Sequence, residues 1–148
     1  MLTIFYINII SINDNYTNYI DIKYMDSIKK RLLTFLVACI GLRSIFVYVA
    51  KTIDKEKLPY LGYLAIIPAI GFWAIYLGGL RPTGFEAGGE IWWNHLRPAH
   101  GTLYGIFAYL AINKSPHAWK VLLADVLIGL SFFLNFHYKS GDLVNLFN

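Results

Sequence analysis

The sequence predicts an all-α integral membrane bundle of about four transmembrane helices. The chain has 148 residues, of which 57% are hydrophobic and only 15% are charged, a composition outside the usual range of soluble domains. Several long windows are apolar on every side, whereas a surface helix of a soluble domain keeps a polar face. Burial in lipid accounts for these windows, and the chain length suits a single domain.

Four apolar segments are separated by charged or glycine-rich stretches. They lie at residues 32–50, 58–80, 99–112 and 118–136. At ~1.5 Å per residue, the first, second and fourth segments are long enough to cross a hydrocarbon core of ~30 Å. The third is short for a full span, so a tilted or re-entrant segment stays an alternative for it.

The transmembrane domain is predicted to occupy residues 25–138, with a short segment at each end of the chain. Residues 1–24 lack the positive n-region and the small-residue cleavage site of a signal peptide. We expect them to be an extension that is disordered or not native, followed by a natural start at Met25. Residues 139–148 are a short C-terminal tail.

The basic residues predict which side of the membrane each end faces. Lys29, Lys30 and Arg31 stand directly before the first segment, and the positive-inside rule places them in the cytoplasm. With four spans, both termini and the loop at residues 81–98 share that side. The formal charge of +4 comes from scattered residues and forms no basic stripe, which argues against nucleic acid as a partner. The lipid bilayer is the predicted partner.

Two charged residues interrupt apolar segments at a matching depth. Arg43 lies about seven residues from the outer end of the first segment, and Asp125 lies about six residues inside the outer end of the fourth, so both are roughly 9–10 Å below one interface. An ionised group there costs ~2–4 kcal/mol or more, and pairing reduces that cost. We predict an Arg43–Asp125 ion pair between the first and fourth helices. It is either a static bridge that sets helix register, which we favour, or a proton or cation site.

The longest internal loop carries a second set of polar and aromatic residues. It occupies residues 81–98 and reads RPTGFEAGGEIWWNHLRP, which cannot cross lipid unprotected. Because consecutive helices run antiparallel, the start of the third helix and the end of the fourth are expected beside this loop. The predicted interfacial polar cluster consists of Glu86, Glu90, Trp92, Trp93, His95, Arg97, His100 and His137.

Two interpretations of this cluster remain open. In the first, the arginine and the histidines anchor the helix ends among lipid headgroups, and the paired tryptophans lie flat at the interface. In the second, His95, His100 and His137 hold zinc or haem. The sequence contains no HExxH motif, and its single cysteine, Cys39, lies inside an apolar segment. The first interpretation is therefore favoured, and no cofactor is expected.

A GxxxG pattern marks the third segment, where Gly101 and Gly105 are separated by three residues. Small residues at this spacing allow two helix backbones to approach closely. The pattern predicts either packing on the second or fourth helix within one chain, or a homo-oligomer through the third helix.

One phrase of the sequence resembles a known group of proteins. Residues 81–111 read RPTGFEAGGEIWWNHLRPAHGTLYGIFAYLA. This phrase, and above all its part WWNHLRPAH, resembles uncharacterised multi-spanning membrane proteins encoded by large DNA viruses of eukaryotes. The resemblance covers residues 25–138. It implies a location in the inner membrane of the virion or in host membranes, with viral or host membrane proteins as partners, and it brings no established activity.

Three functions remain as hypotheses. The leading one is a structural or assembly component of a membrane whose loop contacts lipid headgroups or a partner. The second is a small transporter, channel or viroporin that uses Asp125 and Arg43. The third is a metal- or haem-dependent membrane enzyme that uses His95, His100 and His137.

Overall fold

A computed structural model describes residues 27–84, 87 and 89–143 of the chain. The predicted N-terminal extension and Glu86 lie outside these residues, as does the end of the predicted C-terminal tail. The described part is dominated by four helices, α1 (Ser27–Thr52), α2 (Leu58–Leu77), α3 (Arg97–Ile112) and α4 (Trp119–Lys139). The predicted all-α bundle is confirmed.

Three of the helices are long and apolar enough to cross a membrane. They are α1 with 26 residues, α2 with 20 and α4 with 21, and their mean hydropathies are 2.2, 1.7 and 1.6. Helix α3 has 16 residues and is ~24 Å long, which is less than the ~30 Å thickness of a hydrocarbon core. The sequence therefore located all four helices, and its expectation of a short third one agrees with the length of α3.

The connection between α2 and α3 is the only long one in the described part of the chain. It contains two paired strands, β1 (Thr83–Gly84) and β2 (Gly89–Glu90), which run antiparallel. A 3-10 turn at Asn94–Leu96 then leads directly into α3. We call the segment at residues 81–96 the hairpin loop, and the end of the bundle where it lies the loop face.

Helices α2 and α3 form the closest pair, because small residues line their contact. Gly62 of α2 lies so near α3 that a Cβ atom there would be 2.9 Å from the carbonyl oxygen of Ala108. Ala65 and Ala111 are fully buried in the same interface. Helix α4 packs on the other side of α3, and α1 packs on α4.

The two glycines of the GxxxG pattern have different surroundings. A Cβ atom on Gly101 would meet the Trp73 ring at 2.7 Å and the carbonyl oxygen of Ala69 at 3.1 Å. A Cβ atom on Gly105 would meet nothing within 4 Å. Gly101 therefore packs on α2 inside the chain, whereas Gly105 faces an open groove between α2 and α3, and the homo-oligomer stays a prediction.

Helix α1 is not α-helical throughout. Residues Phe35–Gly41 form a π-helical segment, a feature that is frequent beside functional residues. The ring of Phe35 stacks on Phe133 of α4 with 4.6 Å between ring centroids. The segment begins at Phe35 and ends two residues before Arg43, so it connects the aromatic contact to the charged residue.

Replacing Gly62 with alanine tests the close α2–α3 contact. We expect Gly62→Ala to destabilise the protein by ~1–3 kcal/mol, because the new methyl group must displace the α3 backbone. Gly71 of the same helix is the matched control, since a Cβ atom there meets nothing within 4 Å. Gly71→Ala should be neutral, or stabilising by up to ~1 kcal/mol from helix propensity. Unfolding in detergent followed by tryptophan fluorescence measures both; equal effects would contradict the close contact.

Candidate functional site

The candidate site is a group of three polar side chains inside the apolar bundle. Arg43 of α1 and Asp125 of α4 form an ion pair, with 3.2 Å between Arg43 Nη1 and Asp125 Oδ2. The side chain of Asp125 is 1% exposed and that of Arg43 is 18% exposed. The two residues that the sequence paired by depth are thus in contact.

His100 of α3 is the third member of this group. Its Nδ1 lies 2.5 Å from Asp125 Oδ1, and Arg43 Nη1 approaches the two ring nitrogens to 3.1 Å and 3.4 Å. With its proton on Nδ1, the imidazole donates to the carboxylate and leaves Nε2 as an acceptor. Both oxygens of Asp125 are then engaged, each by a side chain from another helix. We call these three residues the triad.

The remaining helix, α2, contacts the triad through the aromatic ring of Phe72. The guanidinium carbon of Arg43 lies 5.4 Å from the centroid of the Phe72 ring on α2, within the range of a cation–π contact. The same ring is tilted against His100, with centroids 5.7 Å apart. All four helices therefore contribute to one contact.

The position of His100 corrects the sequence interpretation. It was expected in the interfacial cluster beside His137, but only 4% of it is exposed, and it pairs with Asp125. The expectation placed the start of α3 in a wet interface, whereas the His100 side chain points into the bundle and contacts Asp125. A signal was present in the sequence: His100 lies four and seven residues before the buried Tyr104 and Phe107, on the buried stripe of the helix.

The hairpin loop packs against the helices, and this differs from the expected flat interfacial position of its tryptophans. Trp92 stacks on Phe136 of α4 with 4.5 Å between centroids. Trp93 lies 5.5 Å from the ring of Phe35 on α1. The indole Nε1 of Trp92 is buried without a hydrogen-bond partner among the described residues. The ring contacts of the two half-buried tryptophans offset the cost of such a polar atom.

Arg97 fastens the hairpin loop to the end of α2. It is 4% exposed and donates hydrogen bonds to the carbonyl oxygens of Leu80 at 3.0 Å and Arg81 at 3.1 Å. It also donates to Asn94 Oδ1 at 2.8 Å. Carbonyl groups beyond a helix C-terminus have no partner within the helix, so Arg97 supplies one and connects α3 to α2.

The other members of the predicted interfacial cluster lie apart from the triad. His95 is exposed and rests edge-on against Phe132. His137 pairs through Nδ1 with Asp142 Oδ2 at 2.7 Å, and Glu90 is exposed on β2.

The three histidines proposed as metal ligands thus have three separate sets of neighbours. Among the described residues, no group of three or more His, Cys, Asp or Glu side chains is placed to hold a metal ion. A zinc site needs three or four such ligands around one point. The residues do not fit zinc, and His100 and His137 pair with different carboxylates, Asp125 and Asp142, rather than facing a common haem site.

The triad can stabilise charge but has little freedom to react. Removing a carboxylate and a guanidinium from water costs several kcal/mol per ion, and this cost is offset only when both are paired and hydrogen-bonded. The geometry meets that condition for Asp125. The chemical role that follows most directly is to join α1, α3 and α4 in one register.

Comparisons of the chain with protein-family models, with curated proteins and with solved structures found no match. No residue role is therefore carried over from another protein.

Removing the charge of Asp125 tests the triad. We expect Asp125→Asn to destabilise the protein by ~3–5 kcal/mol, because Arg43 loses the buried counter-charge that it contacts. Asp54 is the matched control, since it pairs with Lys57 at 3.5 Å on the exposed surface. Asp54→Asn should change the free energy of unfolding by no more than ~0.5 kcal/mol.

A double-mutant cycle separates the interaction from the individual residues. Arg43→Gln combined with Asp125→Asn should destabilise by less than the sum of the two single changes, because the double variant leaves no unpaired charge. Additive effects would show that Arg43 and Asp125 do not stabilise one another.

The metal content of the purified protein tests the separation of the histidines. We expect elemental analysis and an absorbance spectrum of the detergent-purified protein to show no stoichiometric zinc, iron or haem. We expect the same values for His100→Ala/His137→Ala. Stoichiometric metal or haem that disappears in this variant would contradict the geometry and favour the enzyme hypothesis.

Proposed function

We propose that this chain is a polytopic integral membrane protein with a structural or assembly role. The observation that carries this proposal is the triad. Both oxygens of the buried Asp125 carboxylate form contacts that hold helices together. A transported ion needs a group that can release its partners. Here Asp125 is bound by Arg43 and by His100, so a static bridge fits better than an ion site.

The outward faces of the helices support a location in lipid. Large apolar side chains point away from the bundle on each long helix, for example Val37 at 63% exposed, Ile67 at 69% and Leu127 at 53%. A soluble protein rarely exposes so continuous an apolar surface. In a bilayer the same surface lies in hydrocarbon, and the charged residues at the helix ends reach the headgroups.

Both ends of the bundle carry exposed basic side chains, among them Lys55 and Lys120 at the end opposite the hairpin loop. On the face opposite the hairpin loop, Lys114 pairs with Glu56, and Lys51 lies over the ring of Trp119. On the loop face, Lys29 and Lys139 are exposed, and neither forms an ion pair with a described residue. The loop face therefore has basic side chains available for lipid phosphates or for an acidic partner.

The proposed setting is a viral membrane, either in the virion or in the host membranes where particles assemble. This part of the proposal rests on the resemblance of residues 81–111 to membrane proteins of large DNA viruses. The exposed strands β1 and β2 of the hairpin loop are the segment best placed to contact another viral or host membrane protein. The open groove beside Gly105 is the corresponding surface for a homo-oligomer.

Ion flux distinguishes the structural role from the alternative of a transporter, channel or viroporin. Proteoliposomes that contain the wild type should show no proton, sodium or chloride flux above that of protein-free liposomes. Flux that is present in the wild type and lost in Asp125→Asn would overturn the structural role and favour transport through the triad.

A second experiment tests the assembly role in cells. The loop variant, Thr83→Ala/Glu90→Ala, replaces two exposed residues of the hairpin loop. The matched control, Lys55→Ala/Glu56→Ala, replaces two exposed residues of the opposite face. Both variants should insert into membranes. During assembly, only the loop variant should show reduced proximity labelling of the proteins that surround the wild type. Equal loss in both, or loss in neither, would contradict a partner at the hairpin loop.

A further inference from the structure

A cavity of about 210 Å³ lies between the hairpin loop and the triad. Its inner wall includes Arg43 and His100, and its outer wall includes Trp93 and Arg97 of the loop face. Cys39 of the π-helical segment forms part of its side. The cavity therefore extends from the loop face to the middle of the bundle.

The hydrogen bonding of Arg43 indicates what this cavity holds. All hydrogen bonds from Arg43 to described residues use Nη1, although the guanidinium carries donors on Nε and Nη2 as well. An ionised guanidinium in an apolar bundle is costly unless its remaining donors are also met. Hydrogen-bond acceptors for Nε and Nη2 must therefore come from a space that the Arg43 side chain touches.

Among the described residues, two spaces that touch Arg43 differ in the side chains that line them. A cleft between α1 and α2 is lined mainly by apolar side chains such as Ile45, Leu64 and Ile67, and in a bilayer it would be filled by lipid chains. The cavity under the hairpin loop also has apolar side chains in its wall, but four basic side chains line it as well, namely Arg43, Arg81, Arg97 and His100. A water molecule needs ~10–15 Å³ of such space and two to four polar partners, so the cavity has room for several.

We propose that the cavity is a water-filled vestibule that opens at the loop face and hydrates Arg43 and His100. Its ligands are water and small polar solutes, and it ends at Arg43 and His100 rather than crossing the bundle. It would make Cys39, in the middle of an apolar helix, reactive toward reagents that cannot enter lipid. The proposal rests on the proposed membrane location.

The single cysteine of the chain allows a direct test. The wild type in lipid nanodiscs is treated with a negatively charged, membrane-impermeant methanethiosulfonate, and the rate is normalised to that of the unfolded protein. The control is Cys39→Ser/Val37→Cys, which moves the thiol two residues along α1 to a side chain that is 63% exposed on the outside of the bundle. Because the reacting thiolate forms in water, we expect Cys39 to react at least about tenfold faster than the control.

The two positions also separate the vestibule from the membrane location. Slow reaction at both positions overturns the vestibule and leaves the membrane location intact. Fast reaction at both shows that lipid does not cover α1 and overturns the proposed membrane location, and the vestibule with it.

A cavity-filling variant provides the second measurement. Gly129 lies on the cavity wall, and a Cβ atom there would be 3.5 Å from Arg43 Nη1 and 3.6 Å from Ile40 Cδ1. Gly129→Val should therefore slow the modification of Cys39, whereas unchanged reactivity in a folded variant would overturn the proposal. If Gly129→Val does not fold, the comparison of the modification rates of Cys39 and of the Val37→Cys control still tests the proposal.

Discussion

A carboxylate inside an apolar bundle has to find its partners within its own chain, because neither lipid nor a hydrocarbon core supplies any. Asp125 is fully buried, and its two oxygens take one partner each from α1 and α3. Such a contact is demanding in geometry, since a displacement of one helix leaves a charge unpaired at a cost of several kcal/mol. The relative positions of three helices are therefore fixed around one side chain.

The contact of His100 with Asp125 also positions the start of α3. His100 stands in the first turn of this helix, so the hairpin loop that precedes it is held against the end of the bundle. Backbone that is not helical is tolerated at membrane depth only where protein shields it. The aromatic rings of the hairpin loop provide that shield, and Arg97 satisfies the carbonyl groups of Leu80 and Arg81 that the turn would otherwise leave without a donor.

The sequence predicted the parts of this arrangement that depend on hydropathy and on counting residues along a helix. The four helices follow from apolar runs, and the contact of Arg43 with Asp125 follows from their equal depth. The place of His100 could not be obtained in the same way, because depth was counted from helix ends assumed to lie at the membrane surface. The ring contacts of Trp92 and Trp93 could not be obtained from the sequence either, because an aromatic ring suits both an interface and a packed interior, and only the three-dimensional path of the loop shows which rings it meets.

Ionisable residues within apolar helices are commonly associated with transport, yet the same chemistry serves specificity of assembly. An apolar interface between helices in lipid gains little from hydrophobicity, since lipid chains are as apolar as leucine. A single charged contact can then select one register among several that pack equally well. Arg43 shares its guanidinium between the carboxylate of Asp125 and the ring of Phe72, so it connects α1 with helices on both sides. A bundle built in this way has one preferred arrangement of four helices, and the proposed structural role depends on that property.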